Sequence, residues 1–160
     1  MKIYIIGPPG SGKTTLSKIL ENKYHTKAYE LDCIVHDDFD HHQKRSSQDI
    51  TNRFNQIIKQ NNWIIEDVGR DIFNEGLKKA DIIYYLKISK KVIMIRVIKR
   101  WIKQRLGKEP YNYHPTFYQL YDMIKVVNKY YKKEKEKIKK IEEYPDKVIY
   151  LTNKEIKSLE

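Results

Sequence analysis

Met1-Lys2-Ile3-Tyr4-Ile5-Ile6-Gly7-Pro8-Pro9-Gly10-Ser11-Gly12-Lys13-Thr14-Thr15 opens the chain, and its reading decides the rest. A short apolar run rich in isoleucine predicts a buried strand. It passes directly into G-x-x-x-x-G-K-[ST], after which Leu16, Ile19 and Leu20 recur at helical spacing. Strand, glycine-rich turn and helix in that order are the context in which this motif cradles phosphate. The glycines let the backbone turn tightly and approach a polyphosphate with no Cβ in the way. Gly7, Pro8, Pro9, Gly10, Ser11, Gly12, Lys13, Thr14 and Thr15 are therefore the expected binding loop for ATP. Its consecutive N–H groups form an anion nest backed by the positive end of the following helix. Lys13 brings a mobile charge to the β- and γ-phosphates, and the Thr14 hydroxyl is placed to ligate Mg²⁺.

The bulk numbers bound what surrounds this loop. A chain of 160 residues, 40% of them hydrophobic, suits one globular domain over residues 1–160. The single cysteine, Cys33, excludes an internal disulfide and fits a reducing compartment. The N-terminal apolar run is too short for a signal peptide and already serves as a strand. No run reaches membrane-spanning length, so the expectation is a cytoplasmic protein without a membrane partner. The net charge of +11 admits a nucleic-acid partner. It does not favour one: a triphosphate site needs a basic cleft, and the whole chain is rich in Lys, Ile, Asn and Tyr.

Further along, Lys27 to Asp32 reads as a second strand with Asp32 at its carboxyl end, and 33–61 as an acceptor-side insertion. Within it, Ile50, Phe54, Ile57 and Ile58 predict a helix over Ser47 to Gln60. Trp63 to Glu66 is a third strand ending in acid, Asp71 to Lys79 a short helix, and Asp81 to Ile88 a fourth strand. Lys90 to Leu106 predicts a basic helix with Met94, Val97, Ile98 and Trp101 inward. A short lid is expected over about 101–115. Phe117 to Glu143 reads as one long helix packed through Leu120, Tyr121, Ile124, Val127 and Tyr131, with Lys132 to Lys140 solvated. Lys147 to Leu151 is the fifth strand. Strands alternating with helices predict a three-layer α/β/α fold around a five-stranded parallel sheet. Its ligands sit outside the carboxyl ends of the strands, where the loop, Asp32 and Glu66 all fall.

The loop Gly7-Pro8-Pro9-Gly10-Ser11-Gly12-Lys13 resembles that of the adenylate-kinase-like superfamily of P-loop kinases. Trp63-Ile64-Ile65-Glu66-Asp67-Val68-Gly69-Arg70 is similar to the strand-then-arginine segment those kinases use for acceptor phosphate. Leu86 to Arg100 resembles their strand-then-helix segment with two arginines one turn apart. The pattern is most similar to a bacterial branch labelled DNA topology modulation proteins or adenylate-kinase-related kinases. The resemblance implies a nucleoside monophosphate kinase-like P-loop NTPase with strand order 2-3-1-4-5, using ATP and Mg²⁺. Adenylate kinases proper carry Thr-Gly-Asp after the second strand, where this chain has Asp32-Cys33-Ile34-Val35-His36, and a longer lid.

Residue roles follow from phosphoryl-transfer chemistry, in which positioning and charge neutralisation dominate. Asp32 either ligates Mg²⁺ through water, orients the acceptor hydroxyl, or simply caps the following turn. Glu66 is the preferred acid for Mg²⁺-bound water, with Asp67 second. By resemblance Arg96 and Arg100 clamp donor phosphates, as planar, permanently charged forks suit phosphate, and Arg105 joins them from the lid. Arg70 is expected to hold an acceptor phosphate if the substrate has one; Arg53 and Arg45 are weaker candidates. The cluster His36, Asp37, Asp38, Asp40, His41 and His42 matches no zinc spacing and reads instead as a loop that closes on substrate. Tyr111, Tyr113 and Tyr118 read as packing residues rather than base stackers. Asn153-Lys154-Glu155-Ile156 lacks the acid of a guanine-reading motif, which argues against a GTPase. The implied activity is transfer of the γ-phosphate to a small-molecule acceptor, a nucleoside or nucleotide. The alternative is a DNA-associated P-loop ATPase or regulator.

Overall fold

The computed structural model describes residues 1–36, 43–107 and 115–158. Its organising strand, β1 (Lys2–Ile6), is buried on both faces, and its side chains alternate between two cores. Ile3 and Ile5 enter one with Leu16, Leu20, Leu86, Ile93 and Val127. Tyr4 and Ile6 enter the other with Phe54, Trp63, Phe73, Leu77 and Tyr85. A strand covered on both sides has no polar face to show, which is why its sequence is an unbroken apolar run.

The glycine-rich loop leads into α1 (Lys13–Tyr24), then β2 (Ala28–Glu30), α2 (Leu31–Val35) and α3 (Ser47–Ile58). The Ser46 hydroxyl caps α3, accepting from the Asp49 N–H at 3.2 Å. Next come β3 (Trp63–Asp67), a 3-10 turn (Asp71–Phe73), α4 (Asn74–Lys79), β4 (Ile82–Leu86) and α5 (Lys90–Arg105). After α6 (Phe117–Lys132) and α7 (Glu134–Ile141), the chain finishes with β5 (Val148–Leu151) and α8 (Asn153–Lys157). All sheet pairings are parallel and the strand order is β2-β3-β1-β4-β5, as expected for a P-loop NTPase. Ile6 is in register with Asp67, so the phosphate loop and the acids of β3 emerge at one end of the sheet. Among the described residues no helix is long and apolar enough to cross a membrane.

Three local expectations are corrected. The second strand stops at Glu30, and Asp32 lies in the first turn of α2 rather than at a strand end. Leu31, Ile34 and Val35 bury one face at helical spacing there, and that packing overrides the strand reading. The long helix is two helices meeting at Lys133, and Lys132 to Lys140 is not wholly solvated, since the half-buried Lys137 donates to the Gly69 carbonyl at 2.6 Å. Ile98 and Tyr121, expected inward, are 40% and 55% exposed, while Ile93 and Tyr130 are the buried residues nearby on their helices.

Gly76 shows how tightly the second core is closed. A Cβ there would stand 2.6 Å from Tyr4 Cε2 and 2.9 Å from Phe54 Cζ, both on buried rings. Gly76→Ala is therefore expected to cost about 1–3 kcal/mol by overpacking, against which any gain in helix propensity is smaller. A thermal melt reads this as a fall of roughly 2–4 °C per kcal/mol; an unchanged melting temperature would show that the rings yield.

Candidate functional site

The phosphate loop is shaped by two left-handed glycines, Gly10 at φ 75° and Gly12 at φ 97°, on either side of Ser11. Between them the Ser11 N–H donates to the Pro8 carbonyl at 3.1 Å, closing a turn. The Gly7 N–H reaches the Asp67 carbonyl at 3.4 Å and ties the loop to β3. A Cβ on Gly7 would meet Leu86 Cβ and Ser11 Oγ, each at 2.8 Å, so only glycine fits at that crossing. Lys13 folds over the loop, its Nζ donating to the Pro8 carbonyl at 3.1 Å. Burial lowers the pKa of its ammonium, while the carboxylates of Glu66, Asp32, Asp67 and Glu30 oppose that shift.

At the head of α1 the Thr14 hydroxyl donates to Glu66 Oε2 at 3.1 Å, and the Ser17 hydroxyl lies 3.5 Å from Oε1. Glu66 is buried at the end of β3. Burial raises its pKa, partly offset by the Thr14 hydrogen bond. A buried carboxylate beside a threonine hydroxyl is a hard-oxygen donor set, and a divalent cation would relieve its desolvated charge. The pair fits Mg²⁺. Asp67, equally buried, is instead committed to Arg70, receiving its backbone N–H at 2.6 Å and its guanidinium.

The other fork of the Arg70 guanidinium pairs with Asp32, whose side chain is thus an ion-pair partner and not a helix cap. Beside Arg70 opens a cavity of about 250 Å³, lined also by Lys133, Glu136, Lys137 and Lys140. Lys140 pairs with Asp71 across its rim, and burial lowers the pKa of Lys137. Because Arg70 is shared between two carboxylates and Lys140 is paired with Asp71, Lys133 and Lys137 carry the lining charge not held in an ion pair among the described residues, with the Glu136 carboxylate beside them.

On the far side of the loop Arg96 donates from Nη1 to the carbonyls of Gly10 and Ser11, at 3.3 and 3.1 Å, and from Nη2 to Asn153 Oδ1. Arg100, one turn on, is exposed with no hydrogen bond or ion pair among the described residues. A family model described as an AAA domain matches residues 3–112.

The chain belongs to the AAA domain family.

Solved structures agree on the architecture. A shikimate kinase from Bacteroides thetaiotaomicron superposes with a TM-score of 0.59 at 16% identity, covering 99% of this chain and 93% of its own. A gluconokinase from Sinorhizobium meliloti 1021 gives 0.58 at 10% identity, with 99% and 88% covered. Shikimate kinase from Acinetobacter baumannii in complex with shikimate gives 0.58 at 16% identity, with 94% and 81% covered. At such identities the likeness is one of fold. No curated protein sequence matches the chain.

This AAA domain gathers Lys13, Thr14, Glu66, Asp32, Arg70 and Arg96 at one end of the sheet. It does not bring Arg53 to them: Arg53 is exposed on α3 and pairs with Asp49 at 3.1 Å. Arg45 donates to the Cys33 carbonyl at 3.0 Å, and Arg105 stacks over Trp101 and Phe117, 5.7 and 5.6 Å from their ring centres. Tyr118 is exposed. Asp37, Asp38, Asp40, His41, His42, Tyr111 and Tyr113 lie outside the described residues. Three participants escape the sequence reading. Ser17 is signalled only by standing one turn after Thr14. Lys137 and Asn153 meet partners 68 and 57 residues away, with nothing local to mark them.

Proposed function

We propose that this AAA domain is an ATP-dependent phosphotransferase that moves the γ-phosphate of Mg-ATP to a small-molecule acceptor, a nucleotide or nucleoside. The observation that carries the reading is the adjacency of two unlike sites. The phosphate loop with Thr14 and Glu66 lies at the same strand ends as the cavity of Arg70, Lys133 and Lys137. Lys13 and the loop amides hold the β- and γ-phosphates, and Thr14 with Glu66 would hold Mg²⁺. Held there, the ion would supply neutralisation of phosphate charge. Arg100, one turn from Arg96 and without a partner among the described residues, would bear on the transferring group. Asp32, oriented by Arg70, accepts a hydrogen bond from the acceptor hydroxyl. The cationic cavity favours an acceptor with its own anionic group, hence a nucleotide over a bare nucleoside. The fold neighbours are a gluconokinase and shikimate kinases, which supports hydroxylated carboxylic acids as the second class. The single-cysteine composition is in keeping with work in the cytoplasm.

The test is a panel assay with γ-labelled ATP and Mg²⁺ against nucleosides, nucleoside monophosphates, polyols and hydroxy acids. Label is expected in one acceptor class, with ADP formation rising in step. Absence of acceptor-stimulated ADP across the panel would remove the reading.

A further inference from the structure

Arg96 stands on α5, 85 residues from the loop it touches, and nothing in the loop motif asks for it. Its contacts bear on how the loop keeps its shape. The peptide between Gly10 and Ser11 is fixed at both ends, its N–H on the Pro8 carbonyl and its C=O on Arg96. The peptide between Ser11 and Gly12 is fixed only through its carbonyl, by Arg96 at 3.1 Å. A trans peptide carries C=O and N–H on opposite sides, so holding the Ser11 carbonyl toward α5 turns the Gly12 N–H away from α5. That N–H has no acceptor among the described residues. Gly12, on one side of it, sits at φ 97°, where glycine moves readily between conformations. Without Arg96 this peptide would have no hydrogen bond at either end among the described residues. The guanidinium is a planar fork, and its remaining prong is on Asn153 Oδ1, at the start of α8.

We propose that Arg96 is a positioning residue of the phosphate loop, and that Asn153 holds Arg96 in place. Arg96 acts through the loop carbonyls, pre-organising the Gly12 N–H for a phosphate oxygen before the ligand arrives. The inference rests on the loop being a polyphosphate site and is independent of what the acceptor is.

Calorimetric titration of Mg-tripolyphosphate, which has no base, alongside Mg-ATP separates this role from others. Arg96→Lys keeps the charge but loses the fork and is expected to weaken tripolyphosphate binding about tenfold. Asn153→Ala should weaken it about threefold. Asn153→Asp, which still accepts from Arg96, should keep wild-type affinity. The double variant Arg96→Lys/Asn153→Ala should bind no more weakly than Arg96→Lys alone, since one contact chain is cut twice. If Asn153→Ala leaves tripolyphosphate affinity unchanged or raises it, Arg96 works directly on phosphate and the inference falls. It falls too if losses appear with ATP and not with tripolyphosphate, because Arg96 and Asn153 then serve the base. A folded wild type that binds neither ligand overturns the polyphosphate site itself, a result distinct from wild-type binding with unaffected variants.

Discussion

Lys13→Ala should yield a folded chain whose phosphate transfer is about 10²–10³-fold slower, the cost of removing one preorganised group that stabilises transition-state charge. The ammonium is the loop's only side-chain cation aimed across its mouth, resting on the Pro8 carbonyl at 3.1 Å. Burial already disfavours its charged form, and four nearby carboxylates offset that only in part. Such a group contributes little to stability on balance, so its loss should fall on activity rather than on the fold. Steady-state ADP formation and a thermal melt on the same preparation check both halves. Activity within threefold of wild type would mean the lysine does not reach the transferring group.

Glu66→Gln should raise the melting temperature of the ligand-free protein at neutral to mildly alkaline pH while weakening Mg²⁺ affinity about 10–100-fold. Burial raises the Glu66 pKa above its unfolded value, against the Thr14 hydrogen bond. Between those two pKa values the folded state binds more protons than the unfolded one, so stability falls as pH rises through that window. Above the window the whole penalty is present; below it, where both states are protonated, it vanishes. Glutamine keeps an acceptor for Thr14 without the charge. The gain is expected to be a few degrees, about 2–4 °C per kcal/mol relieved, and to disappear in acid. Melts across pH, with and without Mg²⁺, read it out. A lower melting temperature at pH 8 would show that Glu66 is stabilised as a carboxylate by the protein alone. Trading stability for a charged donor is what a binding site does when its ligand is absent.

The fold and the donor half of the site were legible because they rest on local signals. β1, the loop and α1 are contiguous, and their periodicities switch from a buried run to a helical stripe within fifteen residues. Glu66 could be named because an acid at the end of an apolar strand is a local pattern as well. Asp32 was found but misplaced, since its setting depends on how Leu31, Ile34 and Val35 pack, and five residues are too few for periodicity to decide. The break at Lys133 carries no proline or glycine. The acceptor side was less legible for a different reason: its key contacts join distant segments. Arg70 meets Asp32 across 38 positions, and Lys137 meets Gly69 across 68. The lysines of α7 look like any charged helix until the turn after β3 is packed against them.

Main-chain N–H groups of the glycine-rich loop, with Lys13, are expected to hold the phosphates of a magnesium nucleotide. Titration calorimetry of Mg-ATP into the intact chain tests it most directly. A single saturable site per chain is expected, weakened in Lys13→Ala and weakened again when Mg²⁺ is chelated. A chain folded by circular dichroism that takes up no nucleotide in the presence of Mg²⁺ would contradict it.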